Sequence, residues 1–290
     1  MARILIVGAG DVGGRLAVSL ASQGHEVWAL RRSLPAQRES LAGVHCLVAD
    51  VTQPQTLTAL PEQLDIVVTA LSPGESGVAA YRRVYVEGTR NLMQALAGQA
   101  LAGQPLVHQF WVSSTSVYGQ SQGEWVDADT PAQPCSDTAH ELLAAEAVAQ
   151  AAGWPCSIVR FGGLYGRGRH WLLRWVTSGR PVQSQPPSWS NRIHVEDAAG
   201  FLAHLVTMAL AHQPLRAIYI GVDDAPTPQH EVLCWLAEQL DCPPPQTESR
   251  PDASQGKRLS NSSLRDSGYE LRYPDFRAGY QQVLAARDAP

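Results

Sequence analysis

The chain has 290 residues, enough for one large domain or two small ones, and a 44% hydrophobic share allows a sizeable core. A net charge of −5 argues against nucleic acid as the main partner, since neutralising phosphates takes a basic footprint. No apolar run approaches the roughly 20 residues that span a bilayer, and the five cysteines lack paired metal-ligand spacing, so they read as free thiols in a reducing, cytoplasmic compartment with no metal site.

Arg3–Val7 is a short apolar run bounded by glycine and predicts a strand. The start superficially resembles a leader peptide, but glycines interrupt its apolar stretch and a strand-turn-helix reading accounts for it better. Val12–Ser22 has apolar residues at helical spacing, with Gly24 as a stop signal. Glu26–Leu30, Val44–Ala49, Ile66–Ala70, Leu106–Ser113 and Ser157–Phe161 complete six strand candidates. Helices fill the intervals, among them Val78–Ala97 and Thr138–Ala151. Such alternation predicts a parallel sheet covered on both faces. Arg167–Ser190, rich in Arg, Trp, Pro and Ser, reads as an insertion over the sheet edge. Asn191–Leu205 returns to strand then helix, and Ala217–Val222 is a further strand. The tail offers a helix at Gln229–Leu240, a break at Cys242–Pro245 and a last helix near Asp275–Ala286. The expectation is an α/β chain: a doubly wound Rossmann parallel sheet with a smaller C-terminal substrate lobe. Residues 1–162, joined by 191–222, would form the core, and 163–190 with 223–290 the lobe.

The turn Gly8-Ala9-Gly10-Asp11-Val12-Gly13 follows a predicted strand and opens a predicted helix, the context that turns a weak G-x-G-x-x-G pattern into a dinucleotide signal. Gly8 would make the tight turn, Gly10 would admit a pyrophosphate, and Gly13 would let helix and strand pack closely. The helix start, with Asp11 and Val12, would offer N–H groups and a positive dipole end to phosphates. Where a carboxylate would bind the ribose 2′-hydroxyl of NAD(H), the second strand ends in Arg31-Arg32-Ser33. Two guanidiniums and a hydroxyl suit the 2′-phosphate of NADP(H); two solvated arginines, with NAD(H) as cofactor, is the alternative. Asp50, followed by Val51, is placed to contact the adenine amine. Thr69, Ala70 and Leu71 would lie under the ribose and pyrophosphate.

At this point the sequence resembles the extended short-chain dehydrogenase/reductases, the NAD-dependent epimerase/dehydratase group. The resemblance runs through Gly8–Gly13, Ala49-Asp50-Val51, Val86–Leu92, Val112–Gly119, Val159–Gly166 and Asn191–Asp197. It implies that Ser114, four residues before Tyr118, holds the family's catalytic serine position, and Phe161, Gly162 and Gly163 are counted with the cofactor-binding set. It also implies a Tyr-x-x-x-Lys pair on the next helix, with the lysine lowering the tyrosine pKa. Counting back from Glu146, those positions hold Thr138 and Leu142. The only lysine is Lys257, so no shift of register restores the pair. The pattern resembles the atypical bacterial members of the YeeZ-like group, which keep the cofactor fold without the standard catalytic set.

Substitute groups are Tyr81 and Tyr85, four apart on one helix and hence on one face, and His140, a proton carrier near neutral pH. Each has an ordinary packing or surface role as its alternative, and Ser114 could simply cap local backbone. Arg167, Arg169, Arg174 and Arg192, with Trp171 and Trp175 nearby, could hold an anionic small-molecule substrate or form a solvated surface. The segment Arg192–Asp197 otherwise reads as mainly structural. Ala-rich helices flanking the fifth strand would allow a homodimer. Two readings stand side by side: an NADP-dependent oxidoreductase or epimerase-like enzyme with a non-standard proton donor, and a non-catalytic NADP(H)-binding sensor or regulator.

Overall fold

The computed structural model describes residues 1–33, 41–100 and 106–287. Strand β1 (Arg3–Val7) is buried along its length except for half-exposed Arg3, as expected for a strand inside a sheet covered on both sides. It pairs in parallel with β2 (Glu26–Arg31), which pairs with β3 (His45–Val48). On its other side lie β4 (Ile66–Thr69) and then β5 (His108–Ser114), again parallel. Strands Cys156–Phe161 and Ile218–Gly221 complete a seven-stranded sheet in the order Ile218–Gly221, Cys156–Phe161, β5, β4, β1, β2, β3. Each strand lies within two residues of its predicted bounds.

Helices cover both faces, as the alternation in sequence implies. After β1 comes α1 (Asp11–Ser22); after β4 come α2 (Val78–Tyr81), a π turn (Arg82–Glu87) and α3 (Gly88–Ala100). Successive β1 side chains point to opposite faces. Gly13 of α1 lies against Ile6, whereas Leu5 and Val7 share a core cluster with Leu92, Met93 and Leu96 of α3. The single helix predicted over Val78–Ala97 is thus interrupted by the π turn. The interruption directly precedes Gly88, where an added Cβ would stand 2.7 Å from the Val51 side chain. On the far side of β5, α4 (Asp137–Gln150) is capped by Ser136, whose hydroxyl accepts the Ala139 N–H at 3.3 Å.

The chain divides into two compact units. The first comprises residues 1–117, 132–160 and 199–219; the second comprises 118–131, 161–198 and 220–290. Residues 118–131, 161–162, 191–198 and 220–222, grouped with the core on sequence alone, fall in the second unit. Strand pairing is the reason: Gln122–Val126 pairs with Gly256–Leu259, and Arg192–His194 pairs with Gly163–Tyr165. The second unit has its own core, in which Tyr165, Leu173 and Val176 meet Val232, Leu233 and Leu236 of the helix Gln229–Gln239, and Phe276, Tyr280 and Val283 of the helix Phe276–Arg287. The Tyr165 hydroxyl donates to the Asp275 carbonyl at 3.3 Å. A Cβ at Gly279 would come within 2.0 Å of that hydroxyl, so only glycine lets the last helix pack there. Asp197, buried, accepts from Tyr269 Oη and from the Arg272 and Tyr273 backbone N–H groups. Among the described residues no helix is long and apolar enough to cross a membrane.

Candidate cofactor and substrate sites

The glycine turn is built from backbone. Gly8 has φ +92, and its N–H and that of Ala9 both donate to the Leu30 carbonyl, tying the turn to β2. A Cβ at Gly8 would stand 2.3 Å from the Ala70 carbonyl oxygen, and one at Gly13 2.4 Å from the Gly8 carbonyl oxygen. Gly10 differs: nothing lies within 4 Å of the position its Cβ would take. Two glycines are therefore required by the protein's own packing, and the third keeps a space open. Gly10 also offers no side-chain cap to α1, which leaves first-turn donors for a ligand. The acidic side chain in that turn, Asp11, is paired with Arg15 at 2.9 Å.

A cleft of about 220 Å³ opens on this turn, lined by Gly8, Ala9 and Gly10 and by the ends of three further strands. Arg31, Arg32 and Ser33 line it from the end of β2, Asp50 and Val51 from the end of β3, and Ala70 and Leu71 from the end of β4. Thr69, expected beside Ala70, is only 2% exposed and lies off the lining. The sequence reading missed Thr52, Ser72 and Val84, which also line the cleft. Val84 comes from the π turn, and no local pattern marks it. Thr52 donates from both N–H and hydroxyl to Asp50 Oδ1, at 2.9 and 2.8 Å, which fixes that carboxylate. The Arg32 guanidinium lies 3.1 Å from the position of a Cβ on Gly74, so it reaches across to the loop after β4.

The second unit carries a cleft of its own, of about 390 Å³. Arg169, His170, Trp171, Arg174, Arg192 and Gln229 contribute to its lining. Three of the four arginines expected at a substrate site are thus brought together; Arg167 is exposed and off the lining. Gly163, expected near the cofactor, lines this cleft instead. Phe161 is buried against Gly221, and a Cβ at Gly162 would meet Val222 at 2.7 Å and the Asn191 carbonyl oxygen at 3.0 Å. Phe161 and Gly162 thus serve packing among the described residues of this unit.

A family model described as the NAD dependent epimerase/dehydratase family matches residues 4–221. The chain belongs to that family. Among solved structures, a protein from Methylobacillus flagellatus, provisionally assigned as an NAD-dependent epimerase/dehydratase, is 39% identical, with 99% of each chain covered and a TM-score of 0.83. A functionally unknown conserved protein from Silicibacter pomeroyi is 26% identical over 100% of both chains, with a TM-score of 0.75. At 18% identity, a dTDP-glucose 4,6-dehydratase from Streptomyces venezuelae, solved with NAD bound, shares the fold, with 99% and 97% of the chains covered and a TM-score of 0.77. No curated protein matches the sequence.

Thr138 and Leu142 are the two residues to which the sequence resemblance assigns the Tyr-x-x-x-Lys pair. Leu142 is 4% exposed, packed into α4's buried face, and Thr138 stands at the helix start with its hydroxyl 3.4 Å from that of Ser136. Ser114 closes β5, and its Oγ accepts the Ser116 N–H at 3.2 Å. Tyr81 and Tyr85 do share a face, their rings 5.2 Å apart, and Tyr85 also lies edge-on to Trp111 of β5 at 5.9 Å. Burial, and then the neighbouring Tyr81, push the Tyr85 hydroxyl up to about 12. His140 is exposed and its Nδ1 sits 2.9 Å from the Ser136 carbonyl oxygen, a local helix-start contact. None of these four lines the cofactor cleft. Lys257, the sole lysine, donates its Nζ to the Tyr118 carbonyl in the second unit.

Proposed function

We propose that this family member is an NADP(H)-dependent oxidoreductase or epimerase-like enzyme acting on a small-molecule substrate. One observation carries the cofactor choice: Arg31, Arg32 and Ser33 line the cleft together at the end of β2, where a carboxylate would be needed to hold a free 2′-hydroxyl. The open space over Gly10, set between two glycines that tolerate no side chain, fits a pyrophosphate. Gly8, Gly10 and the first turn of α1 would hold that group, Arg31 and Arg32 the 2′-phosphate, and Asp50 Oδ2 the adenine amine. When bound, a nicotinamide supplies or accepts a hydride. The chain's own part is then to orient a substrate oxygen. Ser114 is suited to this, because its oxygen accepts from Ser116 N–H and its hydrogen can still be donated. Tyr85, held protonated through the neutral range, can donate a hydrogen bond but is a poor base.

Titration of NADPH and NADH against wild type and Arg31→Asp tests the cofactor choice. Charge-assisted hydrogen bonds contribute about 1.5–3 kcal/mol each, so the wild type should favour NADPH by roughly 10- to 100-fold and the variant should lose that preference. An unaltered NADPH/NADH ratio in Arg31→Asp would count against the assignment.

The second reading is a non-catalytic NADP(H)-binding sensor or regulator, favoured by Thr138 and Leu142 at the pair positions and by a Tyr85 that burial keeps neutral by raising its pKa to about 12. Oxidation of NADPH against a panel of carbonyl compounds separates the two: turnover supports the enzyme, and tight binding without turnover supports the sensor.

A further inference from the structure

We propose that Arg83, outside the cofactor cleft, is a positioning residue for the 2′-phosphate: by holding Glu75 in an ion pair it keeps that carboxylate away from Arg32. The proposal rests on reading Arg31 and Arg32 as the residues that hold the 2′-phosphate of NADP(H).

Arg32 directly follows β2, is exposed and lines the cleft. Its guanidinium crosses to the loop after β4, where Nη2 lies 3.1 Å and Nη1 3.9 Å from the position of a Cβ on Gly74. Gly74 has φ +74 and no side chain to stand in the way. Among the described residues Arg32 has no acidic partner. A guanidinium placed in this way offers its charge to a phosphate, provided that no carboxylate of the protein takes it first.

Three carboxylates belong to the segments around the cleft, and each is already engaged. Asp11, one residue past Gly10, is paired with Arg15 at 2.9 Å. Asp50, in the lining, accepts from the Thr52 N–H and hydroxyl. Glu75, the one acid between Asp65 and Glu87, pairs with Arg83 Nη2 at 2.9 Å. Glu75 matters most because it directly follows Gly74, and neighbouring Cα atoms are only about 3.8 Å apart. A released Glu75 carboxylate is therefore within a side chain's length of Arg32, where it would neutralise the guanidinium and repel a phosphate. The pair itself is open to solvent, its side chains 49% and 69% exposed, so it adds little to stability. Its effect lies in where it sends the Glu75 charge. Arg83 belongs to the π turn, one residue before the cleft-lining Val84 but itself off the lining, so it acts through Glu75 and not on the cofactor.

Fluorescence titration of the full-length protein with NADPH and NADH tests this in wild type, Arg83→Gln, Arg82→Gln, Glu75→Gln and the double variant Glu75→Gln/Arg83→Gln. Arg83→Gln is expected to weaken NADPH by about three- to tenfold while NADH stays within about twofold. The loss should shrink in about 0.5 M salt. Glu75→Gln and the double variant should bind NADPH within about twofold of wild type, because neither leaves a carboxylate to compete. Arg82→Gln takes the same charge from the adjacent position, whose partner is Glu141 at 3.5 Å, and should also stay within about twofold. An unaltered NADPH/NADH ratio in Arg83→Gln overturns the proposal. So does an equal loss in Arg82→Gln, which would make it a general field effect. A double variant as weak as Arg83→Gln overturns it too, by putting Arg83 on the cofactor itself. A wild type that binds NADH as well as NADPH overturns the cofactor reading and this inference together; a wild type that prefers NADPH beside an unaltered Arg83→Gln overturns this inference alone.

Discussion

Two arginines are equally hidden in this protein and differently treated. In the first unit Arg160, 3% exposed, holds Glu146 through two contacts, Nε at 3.0 Å and Nη2 at 2.6 Å, and Ser113 completes the group with a 2.5 Å bond to the same carboxylate. In the second unit Arg192 has one nitrogen on a serine and another without a partner. Burial alone therefore says nothing about role. The Arg160 charge has its hydrogen bonds met within the core, whereas Arg192 Nη1 and Oδ2 of Asp223, whose charge acts on it, are both left without one.

The comparison can be broken by measurement. Arg160→Met strands the Glu146 carboxylate in the core, and urea unfolding should show a loss of about 3–5 kcal/mol. Arg192→Met should cost far less, about 1 kcal/mol; equal losses would end the distinction. Asp223 gives the next effect. Its folded value of about 7 stands above the unfolded 3.8, so its contribution to stability is greatest below pH 4 and declines as pH rises through 7. The decline is at most about 4 kcal/mol. Comparing unfolding of wild type and Asp223→Asn between pH 4 and 8 isolates it, and parallel curves would refute the burial argument.

Smaller effects separate the glycines of the cofactor turn. Gly8→Ala combines a positive φ with a 2.3 Å approach to the Ala70 carbonyl oxygen and should cost about 2–4 kcal/mol in urea unfolding. Gly10→Ala meets nothing in the protein; stability should shift by less than about 1 kcal/mol, while NADPH binding weakens severalfold. A Gly10→Ala protein that binds NADPH as well as wild type would show that the space is not the pyrophosphate's.

What was legible in the sequence follows the same division. The sheet strands and the glycine turn are local, short-range patterns, so Arg3–Val7 is found with its bounds intact and the cleft's lining follows from counting strand ends. The π turn escapes because Arg82–Glu87 has the same apolar spacing as the helix around it. Gln122–Val126 and Gly256–Leu259 escape because neither strand has an alternating apolar face; each exists through its distant partner. Gln229 and Asp223 carry no local mark at all, since an amide at a helix start and an acid in a turn are ordinary until tertiary packing buries them. Arg192 was picked out for its charge, yet its missing partner could be seen only in three dimensions.

The bond from Tyr165 to Asp275 spans 110 positions of chain, and this sets a schedule. At roughly 5–20 residues per second of synthesis, the tyrosine emerges several seconds or more before the carbonyl it binds and before Gly279, the residue shaped to receive it. During that interval the second unit lacks the helix that closes its core. A newborn chain thus exposes this apolar surface while most strands of the first unit's sheet are already made, and it is there that a chaperone would find something to hold.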